Sequence, residues 1–225
     1  MKSCVCLLSG GQDSTTTLFW AKNQFENVFA LIIDYGQKHS IEIESAKTIA
    51  KIANVPYKVL LLKDYFSQLT ESALINDGNV NSNHKLNPSL PASFVPGRNI
   101  IFITSACILA NQLGYKNVVT GVCQTDYSGY PDCRLETVES VEKSFFLGTE
   151  YSVKVHTPLM FLTKAETVKL AIELEGCLEA LKFSHTCYNG VYPPCGICPS
   201  CVLRAKGFKE ACKEDPIFYR NEVTK

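Results

Sequence analysis

Ser9-Gly10-Gly11-Gln12-Asp13-Ser14 lies between a short apolar run, Val5 to Leu8, and a segment with apolar residues at helical spacing, Thr15 to Phe25. This arrangement predicts a glycine-rich turn from a strand into a helix that begins near Asp13. Gly10 and Gly11 can adopt positive φ, and the first N–H groups of a helix attract anions. The loop therefore predicts a phosphate site, and an Asp or Ser helix cap after a glycine turn is the alternative.

The loop matches neither of two common phosphate motifs, because it lacks the Gly-Lys-Ser/Thr of a Walker A loop and the third glycine of a dinucleotide fingerprint. It resembles the Ser-Gly-Gly-x-Asp-Ser loop of the N-type ATP pyrophosphatases, which cleave ATP between its α- and β-phosphates. That resemblance implies that the loop binds the pyrophosphate leaving group with the help of Mg²⁺. The ATP-binding residues predicted from the loop and its flanks are Leu8, Ser9, Gly10, Gly11, Gln12, Asp13, Ser14, Thr15, Thr16, Thr17, Leu18 and Asp34.

The remaining pattern predicts an α/β fold. Apolar runs at 5–8, 28–33, 57–62, 117–121 and 153–155 are separated by helical patterns such as 41–53 and 99–113. Such alternation is typical of a doubly wound, Rossmann-like domain with a mainly parallel five-stranded sheet, whose ligands bind beyond the carboxyl ends of the strands. We expect this domain to span 1–180 and a small zinc-binding helical segment to span 181–225. Asp34 follows the second strand, where it could bind ribose or metal, or simply form a turn.

Bulk composition narrows the class of partner. The 225 residues include 22 basic and 22 acidic side chains, so no net charge attracts nucleic acid or an anionic membrane. No window approaches the roughly 18 apolar residues of a membrane span, and we expect a soluble, cytoplasmic protein. Eleven cysteines, an odd number, favour a reducing compartment, with Cys4, Cys6 and Cys107 in the core.

Four further cysteines form a cluster on a segment rich in glycine and proline. Their spacing within fifteen positions suits a closed, structural Zn²⁺ site, one per chain. An iron–sulfur cluster, a redox or sulfur-transfer pair and ordinary buried cysteines are the alternatives, and His185 could replace one ligand. The predicted ligands are Cys187, Cys195, Cys198 and Cys201.

Two polar segments indicate where a second substrate binds. A long loop at 76–96 predicts a lid and leads into Phe94-Val95-Pro96-Gly97-Arg98-Asn99, where Arg98 could reach a phosphate. The segment from Gly121 to Arg134 combines acids, tyrosines, Gln and Arg around glycine and proline. Such groups suit a flat heteroaromatic ring, although capping alone would explain Pro131 and Asp132.

The opening loop, Asp34-Tyr35-Gly36-Gln37, the segment 94–99, Asp126-Tyr127-Ser128-Gly129-Tyr130-Pro131-Asp132-Cys133-Arg134 and the four terminal cysteines occur in one order. This order resembles the QueC family of 7-cyano-7-deazaguanine synthases over nearly the whole chain. The resemblance implies a C–N bond-forming ligase that converts 7-carboxy-7-deazaguanine, ammonia and ATP into the nitrile in queuosine biosynthesis. It also implies a zinc-binding homodimer.

Candidate roles follow from these motifs. We expect Asp13, Arg98 and Lys164 to serve catalysis, although Lys164 could equally be a solvated residue of a helix first turn, and His156 could shape the pocket or form a turn. The rival functions are a tRNA-thiolating adenylating enzyme, another ATP-dependent amidating ligase, or a module that binds adenine nucleotide without turnover. The candidate substrate-binding residues are Tyr127, Tyr130, Asp132 and Arg134.

Overall fold

Five parallel strands form the central sheet of the computed structural model, which describes residues 2–37, 40–69, 72, 74–75, 84, 87–125 and 130–217. The strand order is β3-β2-β1-β4-β5. Val5 in β1 pairs with Phe29 in β2 on one side and with Val118 in β4 on the other. The strands are β1 Ser3–Leu7, β2 Asn27–Asp34, β3 Tyr57–Leu61, β4 Asn117–Val119 and β5 Lys154–His156. The predicted doubly wound α/β fold is confirmed.

Helices cover both faces of the sheet, as parallel strands require. They are α1 Gln12–Gln24, α2 Ser40–Ile52, α3 Lys63–Leu69, α4 Arg98–Leu113, α5 Leu135–Thr149, α6 Lys164–Glu173, α7 Cys177–Ala180 and α8 Pro199–Glu210. Two 3₁₀ turns occupy Pro131–Cys133 and Leu181–Phe183.

Alternation along β1 divides the core into two apolar clusters. Cys4 and Cys6 face the cluster that contains α1, α2 and α6, whereas Val5 faces the cluster that contains α4 and α5. Cys107 lies in this second cluster and is fully buried, so the core positions predicted for the three cysteines are confirmed. Burial raises the pKa of the Cys4 and Cys107 thiols to about 12, which keeps both protonated and unreactive.

The C-terminal segment packs against the α/β core. Leu181 and Phe208 belong to the same apolar cluster as β1, and α8 lies against α6. The boundary between 180 and 181 stays a prediction. Across the residues that the structure describes, no helix is both long and apolar enough to span a bilayer.

Candidate active site

The glycine-rich loop leaves the carboxyl end of β1 and opens α1. Ser9 Oγ donates to Ser14 Oγ at 3.0 Å, and Ser14 Oγ donates in turn to the Gly11 carbonyl at 3.2 Å. Gly11 is the N-cap residue, and no side chain caps the helix. The alternative of an Asp or Ser cap is therefore wrong, and within the described part of the chain no side chain caps the first-turn N–H groups, the kind of group that binds anions.

Gly10 adopts the positive φ that glycine allows, at +87°. Gly11 does not, because its φ is −80°. A Cβ at residue 10 would lie 2.4 Å from the Glu42 carbonyl oxygen and 2.8 Å from the Ala46 nitrogen. The loop therefore packs directly on the backbone of α2. On its other side, the His185 N–H donates to the Gly10 carbonyl at 2.8 Å.

Asp13, in the first turn of α1, forms a two-pronged ion pair with Lys164. The Lys164 Nζ lies 3.0 Å from Oδ1 and 2.7 Å from Oδ2. Lys164 opens α6 behind a capping box formed by Thr163 and Glu166, which fixes the start of that helix. The Lys164 side chain is only 10% exposed, so the structure places it in the site rather than in solvent.

The rest of the predicted ATP-binding set divides into three groups. Leu8 and Gln12 line the cavity described below, and the Gln12 Nε2 is buried with no hydrogen-bond partner among the described residues. Asp34 instead accepts the Gly36 N–H at 3.1 Å, which is the turn alternative. Fully buried side chains on α1 lie behind the loop: Thr15, Thr16, Thr17 and Leu18.

A cavity of about 650 Å³ extends from the loop along the carboxyl edge of the sheet. The phosphate loop and the Asp13–Lys164 pair form one wall, and Arg98 with a group of aromatic side chains forms another. The C-terminal segment closes it from a third side. The charged and tyrosine side chains of its lining include Asp13, Glu42, Arg98, Tyr130, Lys164 and Tyr188.

Arg98 opens α4 and lies between aromatic rings. Its guanidinium carbon is 5.6 Å from the Tyr35 ring centroid and 5.8 Å from that of Tyr130, and Nη1 donates to the Tyr35 hydroxyl at 3.4 Å. Burial lowers the pKa of Arg98, but Tyr35, Tyr130 and Asp132 raise it more, so the net shift is upward. A permanently charged cation therefore faces the cavity, where it can pair with a phosphate or carboxylate.

The described residues of the segment from Gly121 to Arg134 contribute unequally to the cavity. Tyr130 lines it and shares a hydrogen bond of 2.6 Å with Ser93 Oγ, whereas Tyr127 lies outside the described residues. Asp132 is buried behind the wall: Oδ2 accepts the Asn99 N–H at 3.0 Å, and Oδ1 has no hydrogen-bond partner among the described residues. Arg134 is exposed and is not among the residues that line the cavity.

Two other expectations have simple structural outcomes. His156 is not among the cavity-lining residues; its ring lies 5.5 Å from that of Phe25, and Nε2 bonds Asn117 Oδ1 at 3.0 Å. The first half of the expected lid, at 76–83 and 85–86, lies outside the described residues. Its described end reaches the site through Pro91 and Ser93.

The structure adds two cavity residues that the sequence reasoning missed. Glu42, in the first turn of α2, and Tyr188, next to Cys187, both line the cavity. Burial raises the pKa of Glu42 to about 7, with Arg98 lowering it and Cys187 raising it by smaller amounts. Burial likewise raises the pKa of Tyr188. Glu42 follows Asp34-Tyr35-Gly36-Gln37 closely in the chain, which is the one signal that could have indicated it.

The four predicted cysteine ligands are all buried, and their sulfur atoms lie within 4.8 Å of one another. Tetrahedral Zn²⁺ with Zn–S bonds of about 2.3 Å places its sulfurs about 3.8 Å apart, close to the 4.0 Å between Cys195 and Cys201. Cys195 Sγ accepts N–H groups from Ile197 at 3.4 Å and from Cys198 at 3.3 Å. Such donors stabilise a thiolate, so the donor set fits a metal ion such as zinc.

Arg204 connects this segment to the phosphate loop. Its side chain is 1% exposed and bonds Asp215 through Nε at 2.8 Å and Nη2 at 2.9 Å. Nη1 donates to Ser184 Oγ at 2.7 Å, and the next residue, His185, holds Gly10. A buried chain of hydrogen bonds therefore runs from the C-terminal segment to the loop.

A family model described as "Queuosine biosynthesis protein QueC" matches residues 3–212. This chain belongs to the QueC family. The 7-cyano-7-deazaguanine synthase of Chromobacterium violaceum is 49% identical over 225 residues, covering 97% of this chain and 94% of its own length. The synthase of the same name from Laribacter hongkongensis is 48% identical over 222 residues, covering 95% and 93%. The resemblance drawn from the sequence motifs is confirmed.

Two solved structures share the fold of this QueC family member. A predicted subunit of tRNA methyltransferase from Methanocaldococcus jannaschii has a TM-score of 0.52 at 21% identity, covering 77% of this chain and 75% of its own. A 4-thiouridine synthetase, solved as an RNA complex with bound ATP, has a TM-score of 0.55 at 18% identity, covering 92% and 53%. At these identities the likeness supports the architecture and nothing more specific.

Proposed function

We propose that this chain converts 7-carboxy-7-deazaguanine and ammonia into 7-cyano-7-deazaguanine at the expense of ATP, as its QueC relatives are named for doing. One observation carries the proposal beyond the family name. A single cavity joins an open helix N-terminus suited to pyrophosphate with an arginine and aromatic rings suited to a planar acid. An adenylating enzyme needs both kinds of group within reach of one carboxylate.

ATP would lie with its phosphates on the loop. The N–H groups at the start of α1 would donate to the β- and γ-phosphates, and the hydroxyls of Ser9 and Ser14 would join them by giving up their present acceptors. Lys164 would neutralise charge on the departing pyrophosphate. Asp13 would hold Mg²⁺ once Lys164 turns to the phosphates, and the ion would supply further charge neutralisation when it is bound with ATP.

The deazaguanine acid would occupy the aromatic end of the cavity. Tyr130, and Tyr127 three residues earlier in the sequence, are the proposed stacking residues, and Arg98 would attract the carboxylate toward the ATP α-phosphate. Asp132 and Arg134 stay candidates for the guanine-like edge. Because Asp132 already holds the first turn of α4, its substitution would disturb Arg98 as well.

The chemistry requires two adenylations. A carboxylate becomes an electrophile only when one oxygen is converted into a good leaving group, so ATP first forms the acyl-adenylate and releases pyrophosphate. Ammonia then displaces AMP to give the amide. A second ATP adenylates the amide oxygen, and loss of AMP gives the nitrile. The chain positions the reactants and excludes water, and no covalent nucleophile is needed.

We further propose one structural Zn²⁺ per chain on Cys187, Cys195, Cys198 and Cys201. Four thiolates close the coordination shell, so the ion would stabilise the fold of the C-terminal segment rather than bind substrate. A homodimer is also proposed from the family resemblance, and sedimentation equilibrium of the purified protein tests it.

Mass-spectrometric product analysis tests the proposed reaction. The protein is incubated with 7-carboxy-7-deazaguanine, MgATP and ammonium, and the nitrile and the amide are measured beside AMP and pyrophosphate. We expect nitrile with two AMP per molecule, and no product when ammonium is omitted. Pyrophosphate release without amide or nitrile would exclude the synthase function, and ATP binding without any turnover would favour the non-catalytic module.

A further inference from the structure

The proposed reaction removes every hydrogen from the incoming nitrogen. Ammonia brings three N–H bonds, and a nitrile has none, so three protons must leave the nitrogen in each catalytic cycle. One leaves as ammonia adds to the acyl-adenylate, and two leave as the adenylated amide becomes the nitrile. A base positioned in the cavity would accelerate these proton transfers.

The cavity offers two carboxylates among its described lining residues, Asp13 and Glu42. Asp13 is engaged on both oxygens by Lys164 and lies in the phosphate loop. Glu42 is half-buried on the neighbouring wall, and no hydrogen bond or ion pair reaches its carboxylate from the part of the chain that the structure describes. Of these two acids, only Glu42 is therefore available to accept a proton.

The placement of Glu42 is fixed by backbone packing. The Glu42 carbonyl oxygen lies against Gly10, at the position where a Cβ would be only 2.4 Å away. Arg98, Tyr35 and Tyr188 also interact electrostatically with the Glu42 carboxylate. The carboxylate thus lies between the phosphate loop and the aromatic wall, the region in which the adenylated carbon must lie.

His185 is the other neutral-range base near the loop. Its side chain is 2% exposed, and its backbone N–H holds the Gly10 carbonyl behind the loop. It also lines the cavity, but its nearly complete burial leaves almost no side-chain surface for contact with the reacting nitrogen. This placement favours Glu42 as the group that reaches the reacting nitrogen.

We propose that Glu42 is the base that accepts protons from the nitrogen of ammonia and of the amide, an inference that rests on the synthase function proposed above. In the first half-reaction, the nitrogen lone pair forms the C–N bond, one N–H proton moves to Glu42, and the C–O bond to AMP breaks. In the second, the adenylated amide loses its two N–H protons in succession to Glu42. The C–O bond breaks with the second loss, and the third C–N bond forms. Glu42 returns each proton to solvent.

Burial supports this role, because it holds the pKa of Glu42 at about 7 against an ordinary value of 4.5. A base titrating near neutral pH combines availability with proton affinity. Among the described residues, the charged or titratable groups that interact electrostatically with Glu42 are Arg98, Tyr35, Tyr188 and Cys187.

Separate assays of adenylation and of nitrogen transfer test the proposal. Acid-dependent exchange of labelled pyrophosphate into ATP, without ammonium, reports the first adenylation alone. We expect Glu42→Gln to retain this exchange within about twofold and to lose about 100-fold or more of nitrile formation. Glu42→Asp should recover part of the nitrile rate. The matched control Glu44→Gln, on an exposed residue of the same helix, should leave both rates unchanged.

Hydroxylamine gives a second readout that a merely structural role would not change. It is uncharged near neutral pH and less basic than ammonia, so its capture of the acyl-adenylate should depend less on Glu42. Equal loss of exchange and nitrile formation in Glu42→Gln, or a nitrile rate within about threefold of the unaltered protein, would overturn the proposal. An unaltered protein that exchanges pyrophosphate but makes no nitrile would instead remove the synthase function, and this inference with it.

Discussion

Lys164 Nζ contacts both carboxylate oxygens of Asp13, at 3.0 and 2.7 Å, so the first turns of α1 and α6 are tied together at the phosphate loop. The two residues are far apart in the chain and meet because α1 and α6 pack together on one face of the sheet. The carboxylate and the ammonium neutralise each other in this structure. When MgATP binds, Asp13 can pair with the metal ion and Lys164 with the phosphates instead.

Removal of that cation should impair catalysis much more than folding. We expect Lys164→Met to lower kcat/KM for ATP by about 100-fold or more, because charge on the pyrophosphate then lacks a buried partner. Lys169→Met, on an exposed residue of the same helix, is the control. Steady-state pyrophosphate release measures both, and a loss below about threefold for Lys164→Met would exclude the role.

A methyl group at Gly10 should disrupt the phosphate loop. Gly10→Ala combines positive φ with a Cβ 2.4 Å from a backbone oxygen, so α2 must move and ATP binding should be lost. Gly97→Ala is the control, since its φ is +73° but no atom lies within 4 Å of the added carbon. It should cost about 1–2 kcal/mol of stability and spare nucleotide binding. Thermal unfolding and ATP titration separate clash from backbone strain, and similar losses in both variants would contradict this account.

Loss of one proposed zinc ligand should release the metal and loosen the C-terminal segment. We expect Cys198→Ser to lower the zinc content from about one ion per chain and to lower Tm. Cys212→Ser, on an exposed cysteine outside the cluster, should retain the metal. Elemental analysis after dialysis gives the result. Unchanged zinc in Cys198→Ser would remove that residue from the ligand set, and iron in the unaltered protein would refute the zinc assignment.

Replacement of the buried Arg204 should destabilise the fold and disturb the hydrogen bonds that lead to the phosphate loop. Arg204→Met removes hydrogen bonds to Asp215 and Ser184, and breaking a buried pair costs about 3–5 kcal/mol. Lys209→Met, on an exposed residue of the same helix, should change stability by less than about 1 kcal/mol. Denaturant unfolding measures the cost. A loss in Arg204→Met no larger than in the control would mean that the hydrogen-bond chain contributes little.

The pH dependence of stability should show the raised pKa of Glu42. Its pKa is higher in the folded protein than the ordinary 4.5, so the folded state binds the extra proton between pH 4.5 and about 7. Below that window, Glu42 is protonated in both the folded and unfolded states and does not lower the free energy of unfolding. As pH rises through the window, the free energy of unfolding falls. Glu42→Gln should therefore raise Tm at pH 8 and leave it nearly unchanged at pH 4.5. Differential scanning calorimetry at both values, with Glu44→Gln as control, checks the sign, and a lower Tm at pH 8 would contradict it.

Local patterns in the sequence are sufficient to predict the sheet and the four-cysteine cluster. The runs at 5–8 and 28–33 become paired parallel strands because buried apolar residues have few other places to go, and four clustered cysteines can share one centre whatever the surrounding fold. Lys164 was undecided between solvent and site, since a first-turn lysine has no local signal for the partner it meets across a helix interface.

Glu42 was missed for a related reason. An acid in the first turn of a helix is an ordinary match to the helix dipole, and only tertiary packing makes this one face a cavity. Asp132 is the converse case. Its polar setting predicted a substrate contact, whereas one of its oxygens holds the Asn99 N–H of a helix distant in sequence. The burial and the hydrogen-bond partners of both residues depend on the packing of elements that are distant in sequence.

Gly207 on α8 packs against Lys164, the residue that pairs with Asp13 in the phosphate loop. A Cβ at this position would lie 2.5 Å from Lys164 Cγ, so the aliphatic stem of the lysine rests on bare helix backbone. Any larger residue would displace the ammonium from Asp13. In a saturation mutagenesis screen for nitrile production, position 207 should therefore tolerate substitution poorly, although glycine contributes no functional group to the reaction.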